Sequence, residues 1–248
     1  MPARSLEGRR ILVTGAARGL GEAFARDATQ AGARVAVADI LEERGRATAS
    51  AIGAEFVPLD LSRPESIDAC AHEAAAALGG LDGLVNNGAI ATGIGGKLLE
   101  DIDVETWDRV MTVNVRGTWL MTRAALPYLK SSRSGRVVNV ASDTALWGAP
   151  RLLHYVASKG AVIAMSRSMA RELGPFGIAV NTIAPGLTLV EATEYVPQER
   201  HDLYVKGRAI NRAQTPEDVT EVCLFLLSDG AGFVTGQLLP VNGGFVMN

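Results

Sequence analysis

"RRILVTGAARGLG" occupies residues 9–21. An apolar, β-branched run (9–15) passes into three glycines, Gly15, Gly19 and Gly21, spaced G-x-x-x-G-x-G. They open an amphipathic stretch from Gly19 to Ala31. The pattern predicts a strand, a tight turn and a helix. Glycines at a turn from strand to helix let a diphosphate approach the backbone and the positive end of the helix. A glycine-rich turn alone is also an ordinary turn. Its place directly after a first strand is what points to phosphate.

The same alternation continues along the chain. Short apolar runs at 33–39, 54–60, 81–87, 135–142, 177–185 and 236–244 predict six further strands. Helical patterns at 42–52, 64–78, 104–130, 152–173 and 216–227 fall between them, with Thr215 placed to cap the last before a proline. A polar segment, 187–213, rich in Glu, Tyr and Arg, interrupts the order. Alternating strands and helices predict an α/β fold: a Rossmann-like, doubly wound parallel sheet of seven strands with helices on both faces. No linker or loss of hydrophobicity divides the chain, so one domain over 1–248 is expected. Ligands in such folds bind beyond the carboxyl ends of the strands.

Composition narrows the partners. The 248 residues are 48% hydrophobic with a formal net charge of −3, which gives no basic footprint for nucleic acid and no polybasic membrane signal. Cys70 and Cys223 make neither a disulfide framework nor a metal motif and fit a reducing compartment. The start has basic residues but no apolar core of signal-peptide length, and no run approaches a membrane span. A soluble cytoplasmic protein is expected. His72, His154 and His201 do not cluster, so no catalytic metal is expected. The acidic run Glu100, Asp101 and Asp103 reads as a solvated helix start.

The strand ends carry the chemistry. Asp39 closes the second strand about 20 residues past the glycines, where an acidic residue binds the adenosine ribose hydroxyls of NAD. It also repels the 2′-phosphate of NADP: two unit charges about 4 Å apart at an effective dielectric of ~20 interact by about 4 kcal/mol. "YVASK" places Tyr155 and Lys159 four apart, on one helix face. Ser142 ends the fifth strand, and Asn114 sits mid-pattern in the 104–130 helix, an uncomfortable place for an amide. A Tyr hydroxyl near pKa 10 is a poor base, and a neighbouring ammonium favours its ionised form. Lowering it by about three units takes ~4 kcal/mol. Each residue also has a structural reading: a core Tyr, a solvated Lys, a strand-end cap and a helix kink.

Together with the glycine spacing, Asn114, Ser142, Tyr155 and Lys159 resemble the catalytic tetrad of the short-chain dehydrogenase/reductase family, and the likeness runs from about Gly8 to Gly244. The resemblance implies Tyr155 as acid/base, Lys159 as its modulator and holder of the nicotinamide ribose, and Ser142 as the group that hydrogen-bonds the substrate oxygen. Asn114 would hold a proton-relay water. It assigns Gly15, Arg18, Gly19, Leu20, Gly21, Asp39, Asp60, Leu61, Asn87, Gly88, Ala89, Pro185, Gly186 and Thr188 to the cofactor, with Asp60 and Leu61 at the adenine. NAD is expected over NADP. Arg18 points the other way, because a basic residue here meets the 2′-phosphate in many NADP-dependent relatives; pairing with Asp39 or facing solvent are its alternatives.

Three departures from the family pattern stand out. The fourth strand ends "NNGA" (86–89) in place of "NNAG", so that Ala89 would be strained if its position needs positive φ. Val190 stands where the family has threonine near the carboxamide, with Thr188 placed to substitute. Asn242 replaces a common aspartate.

The substrate is expected to meet Ser142, Thr144, Leu152, Tyr155 and Leu187, with Leu146, Trp147, Ile94, Tyr195 and Tyr204 nearby and 187–213 as a lid. This apolar mix suits an uncharged aromatic or alicyclic secondary alcohol or ketone, similar to substrates of aryl-alkyl alcohol dehydrogenases within the family. A 3-oxoacyl-carrier reductase using NADPH and a non-catalytic nicotinamide sensor are the alternatives; a basic patch at the site's mouth would favour the first. The resemblance also implies a homotetramer paired through the 104–130 and 152–173 helices.

Overall fold

A computed structural model of the chain describes residues 6–132 and 134–247. Residues 1–5 and 248, which the leader reading and the 1–248 domain span include, lie outside it. Seven strands form one parallel sheet: β1 (Arg10–Thr14), β2 (Arg34–Asp39), β3 (Glu55–Pro58), β4 (Gly83–Asn86), β5 (Arg136–Val140), β6 (Ala179–Pro185) and β7 (Leu238–Val241). Their order is β3-β2-β1-β4-β5-β6-β7. The chain builds outward from β1 to β3 and returns to lay β4 against β1, with Leu12 beside Leu84. That reversal opens a crevice at the carboxyl ends of β1 and β4.

Alternate residues of each strand face opposite sides of the sheet. Leu12, Ala36 and Leu84 pack under α3 (Pro64–Leu78) and α5 (Thr118–Ser131). Ile11, Val13, Val37 and Val85 pack under α1 (Gly19–Gln30) and α9 (Glu217–Leu227). Both faces are therefore covered, which is why the strands read as continuous apolar runs. Between β2 and β3 lies α2 (Glu42–Ile52).

The 104–130 stretch departs from the single helix expected. It forms α4 (Val104–Met111), a π turn (Thr112–Gly117) and then α5. Gly117 presses against Leu61, where a Cβ would stand 2.9 Å from the Leu61 carbonyl oxygen. The wider π turn accommodates this close approach and sets Asn114 inward. Asp103, from the acidic run, caps α4 by accepting from the Thr106 N–H at 2.7 Å. After β5 come a one-turn helix, α6 (Thr144–Trp147), and the long α7 (Leu153–Leu173). The polar segment contains a 3-10 turn (Glu191–Thr193) and α8 (Gln198–Gly207), and α9 begins two residues after Thr215.

Candidate active site

A cavity of about 640 Å³ lies at the carboxyl ends of the strands. Gly15, Arg18, Gly19, Leu20 and Gly21 line it after β1, Asp39 after β2, Asp60 and Leu61 after β3, and Asn87, Gly88 and Ala89 after β4. Ser142, Thr144, Leu152, Tyr155 and Lys159 line it between β5 and α7, and Pro185, Gly186, Leu187 and Thr188 after β6. Of the expected catalytic residues, Asn114 is the one that does not line the cavity.

Backbone proximity builds the glycine turn. Gly15 has φ +64°, and a Cβ there would lie 2.5 Å from Gly88 Cα. Asn87 stitches the two loops, its Nδ2 donating to the carbonyls of Thr14 and Gly15 at 3.0 Å. Thr14 Oγ1 accepts from the N–H groups of Asn87 and Gly88 at 3.1 and 3.0 Å. Asn86 turns the other way and donates to Thr122 and Asn139, tying β4 to α5 and β5. Ala89 is not in the left-handed region; among the described non-glycine residues only Arg151 has positive φ. The strain considered for Ala89 is absent. The crowded position is Gly88, where a Cβ would meet Leu61 Cδ1 at 2.8 Å.

At the far end of the crevice, Asp39 is buried and accepts from the Ala17 and Leu41 N–H groups at 2.9 and 3.0 Å. It braces the glycine turn while lining the cavity. Asp60 Oδ1 accepts from the Ser62 N–H and hydroxyl. Arg18 pairs neither with Asp39 nor with solvent alone: its Nη1 meets Glu191 Oε1 at 2.8 Å.

The reactive groups converge from β5 and α7. Thr144 donates to Ser142 Oγ through its hydroxyl (2.9 Å) and its N–H (3.3 Å). Burial pushes the Tyr155 phenol up to about 12, while a hydrogen bond from Ser142 pulls it down and the Asp143 charge raises it. Lys159 is buried, donates to the Val140 carbonyl at 2.7 Å, and is pushed down to about 8 by that burial. Its Nζ lies 5.6 Å from the Tyr155 ring centre. The expected lowering of Tyr155 by Lys159 is not seen in the protein alone, where the lowering contribution comes from Ser142. Desolvation drives both groups toward their neutral forms.

Asn114 is fully engaged in positioning. Its Oδ1 accepts from the Ile90 N–H at 2.7 Å, and its Nδ2 donates to the Ile90 carbonyl and to Ser158 Oγ, both at 3.1 Å. Ser158 in turn donates to the Tyr155 carbonyl at 2.7 Å. The amide thus links the loop after β4 to the turn of α7 that carries Tyr155.

Several pocket expectations change. Trp147 does not line the cavity; its Nε1 donates to Tyr204 Oη at 3.2 Å, and its ring meets Tyr204 and Phe245 edge-on. Leu146 packs with Ala141 and Val162, Ile94 is buried behind the wall, and Tyr195 is 82% exposed. Thr188 donates to the Gly186 carbonyl, and Val190 lies over Gly19. Two guanidiniums that the sequence reading missed, Arg109 and Arg200, line the cavity. Arg109 follows the helical pattern of 104–130, and Arg200 lies in a segment without periodicity, so neither carried a signal. Among the described residues, no three His, Cys, Asp or Glu side chains form a metal-sized group, and no helix is long and apolar enough to cross a membrane.

Behind Ser142, Asp143 is wholly buried and accepts from the Tyr204 hydroxyl at 2.8 Å, which fastens α8 to the end of β5. Burial pushes its carboxyl up to about 6, above an unfolded value of about 3.8. A raised carboxyl means the folded state binds more protons between these values, so this group's contribution to stability grows as pH falls through about 6. Asp143→Asn should therefore melt higher than wild type near neutral pH, with the gap closing toward pH about 4. Thermal scans across that range check this, and a gap that does not change with pH would contradict it.

The cradle fits a dinucleotide. The glycine turn has no room for a Cβ at Gly15, and one crevice joins it to Asp39 at one end and to Tyr155 and Lys159 at the other. Residues 15–246 match a family model described as enoyl-(acyl carrier protein) reductase. The chain is 37% identical over 243 residues to a 3-alpha-(or 20-beta)-hydroxysteroid dehydrogenase of Mycobacterium tuberculosis, covering 97% of this chain and 90% of the relative. It is 34% identical to a 3-oxoacyl-[acyl-carrier-protein] reductase of Thermotoga maritima, covering 98% and 99%. The crystal structure of a 3-ketoacyl-(acyl-carrier-protein) reductase from Brucella melitensis complexed with NADH superposes with a TM-score of 0.92 at 33% identity, covering 98% of this chain and 100% of that one.

Proposed function

This chain belongs to the short-chain dehydrogenase/reductase family of oxidoreductases, and from that premise we propose that it is an NAD-dependent dehydrogenase of an apolar secondary alcohol, aromatic or alicyclic. The observation that carries the reading is the meeting of Ser142, Tyr155 and Lys159 in a cavity whose other end is closed by Asp39. When bound, a nicotinamide would supply the hydride chemistry, and the positive charge of its oxidised form would favour phenolate at Tyr155. Ser142 donates to the substrate oxygen, with Thr144 orienting the hydroxyl. Tyr155 takes the alcohol proton in oxidation and returns it to the carbonyl oxygen in reduction. Lys159, held on the Val140 carbonyl, would hold the nicotinamide ribose and tune Tyr155. Asn114 holds in place α7, which carries Tyr155 and Lys159.

Leu152, Leu187 and Val196 give the substrate end an apolar lining. A hydroxysteroid, named for the Mycobacterium relative, is itself a bulky apolar secondary alcohol. A carrier-linked 3-oxoacyl reductase is the second reading. It is favoured by Arg109 and Arg200 in the cavity wall, which would suit a phosphorylated carrier arm. Absorbance of reduced nicotinamide, followed with NAD⁺ and NADP⁺ against racemic 1-phenylethanol, its 4-hydroxy analogue and cyclohexanol, tests the proposal. Turnover with NAD⁺ is expected. Preference for NADPH with a 3-oxoacyl thioester would transfer the assignment to the second reading.

A further inference from the structure

Glu191 joins two arginines that lie far from it in sequence. Its Oε1 meets Arg18 Nη1 at 2.8 Å, and its Oε2 meets Arg44 Nη2 at 2.5 Å. Arg18 stands just before the first residue of α1 and lines the cavity beside Asp39, Ile40 and Leu41. Arg44 stands in the first turn of α2, five residues past Asp39, and feels the charges of Asp39 and Glu22 as well as Glu191. Glu191 opens the 3-10 turn of the segment whose Val190, Ala192 and Thr193 line the cavity. One carboxylate thus ties the glycine turn, α2 and the arching segment together at the adenosine end of the crevice.

We propose that Glu191 determines discrimination against a 2′-phosphorylated dinucleotide, by occupying the two guanidiniums that would otherwise receive the phosphate. The proposal rests on the NAD reading of the site. Arg18 alone resembles an NADP feature, and the resemblance leaves its presence beside Asp39 unexplained. The ion triad supplies the reason: each oxygen of Glu191 is matched to one guanidinium. Arg44 and Arg18 together hold the Glu191 carboxyl below its ordinary range, so it stays ionised at neutral pH. A 2′-phosphate arriving here meets two carboxylates, Asp39 and Glu191, and no uncommitted member of the arginine pair. The pairs are partly exposed, with side chains 36–47% accessible, so they are individually weak and reassignable. Removing the glutamate charge frees both cations for bidentate contacts to phosphate, the geometry guanidinium favours.

The test is equilibrium binding of NADH and NADPH by fluorescence to wild type, Glu191→Gln and the triple variant Glu191→Gln/Arg18→Ala/Arg44→Ala. Wild type is expected to favour NADH. In Glu191→Gln the ratio of the two dissociation constants should move toward NADPH by about tenfold, mainly through tighter NADPH, a change of about 1.4 kcal/mol. The triple variant should revert. A wild type that favours NADH with a ratio unmoved in Glu191→Gln overturns this inference and leaves the NAD reading standing. Equal weakening of both nucleotides also overturns it, since that marks Glu191 as a clasp on the arching segment only. A wild type that favours NADPH overturns the NAD reading and this inference with it.

Discussion

Tyr155→Phe should reduce turnover by about 10³-fold while dinucleotide affinity changes by no more than about threefold. The substitution removes one oxygen and leaves the ring in its place on α7. Lys159 keeps its bond to the Val140 carbonyl, and Asn114 keeps α7 in register through Ser158. What is lost is the atom that takes the alcohol proton. In the protein alone the phenol lies high, about 12, because burial outweighs the hydrogen bond from Ser142. Wild-type reduction is therefore supplied with its proton donor at neutral pH, and oxidation, which needs phenolate, should climb as pH rises. The variant should lose that pH dependence along with its rate. Steady-state kinetics in both directions, paired with fluorescence titration of NADH, measure both. Retention of a tenth or more of wild-type turnover would remove Tyr155 from its assigned role.

Gly21→Ala should weaken NADH binding by about 100-fold, or about 2.7 kcal/mol. Gly21 lies in the first turn of α1, and an added Cβ would collide with the Gly15 carbonyl oxygen and stand 2.6 Å from Asn87 Nδ2. Neither neighbour is free to move. The Gly15 carbonyl accepts from Asn87, and Asn87 joins the loops after β1 and β4. The methyl must push α1 away from the crevice or spread the two loops. Overpacking of this kind costs about 1–3 kcal/mol of stability, and the glycine turn loses the backbone position that receives the diphosphate. Thermal unfolding and nucleotide titration separate the two effects. Unchanged NADH affinity in a folded variant would show that the dinucleotide does not rest on this turn.

The sheet was legible because periodicity reports burial. The strands at 9–15, 33–39 and 81–87 read as apolar runs since both sheet faces are covered, and the structure places β1, β2 and β4 there, side by side. Tyr155 and Lys159 share one helix face for a local reason, since four residues is about one turn, but their roles come from the family resemblance of the tetrad and not from the spacing. The strand ends followed from topology, which brings Ser142, Asp39 and the glycines to one edge without any side-chain detail.

What the chain's order alone determined is therefore the βα alternation, the covered parallel sheet and the cluster of strand-end residues, all consequences of repeats of two or 3.6 residues and of short-range spacing. Only the tertiary structure decided the rest. It broke 104–130 at a π turn, because Gly117 meets a backbone 56 residues earlier in the chain, at Leu61. It turned Trp147 and Leu146 away from the cavity and put Arg109 and Arg200 into it. It relieved Ala89 and crowded Gly88. And it gave Arg18 a partner 173 residues distant, in a segment with no periodic pattern to read. The physical reason is common to all of them. Local patterns state which face a residue buries, but a partner across the fold is set by where two loops end, and that position is a property of the packed sheet and helices together.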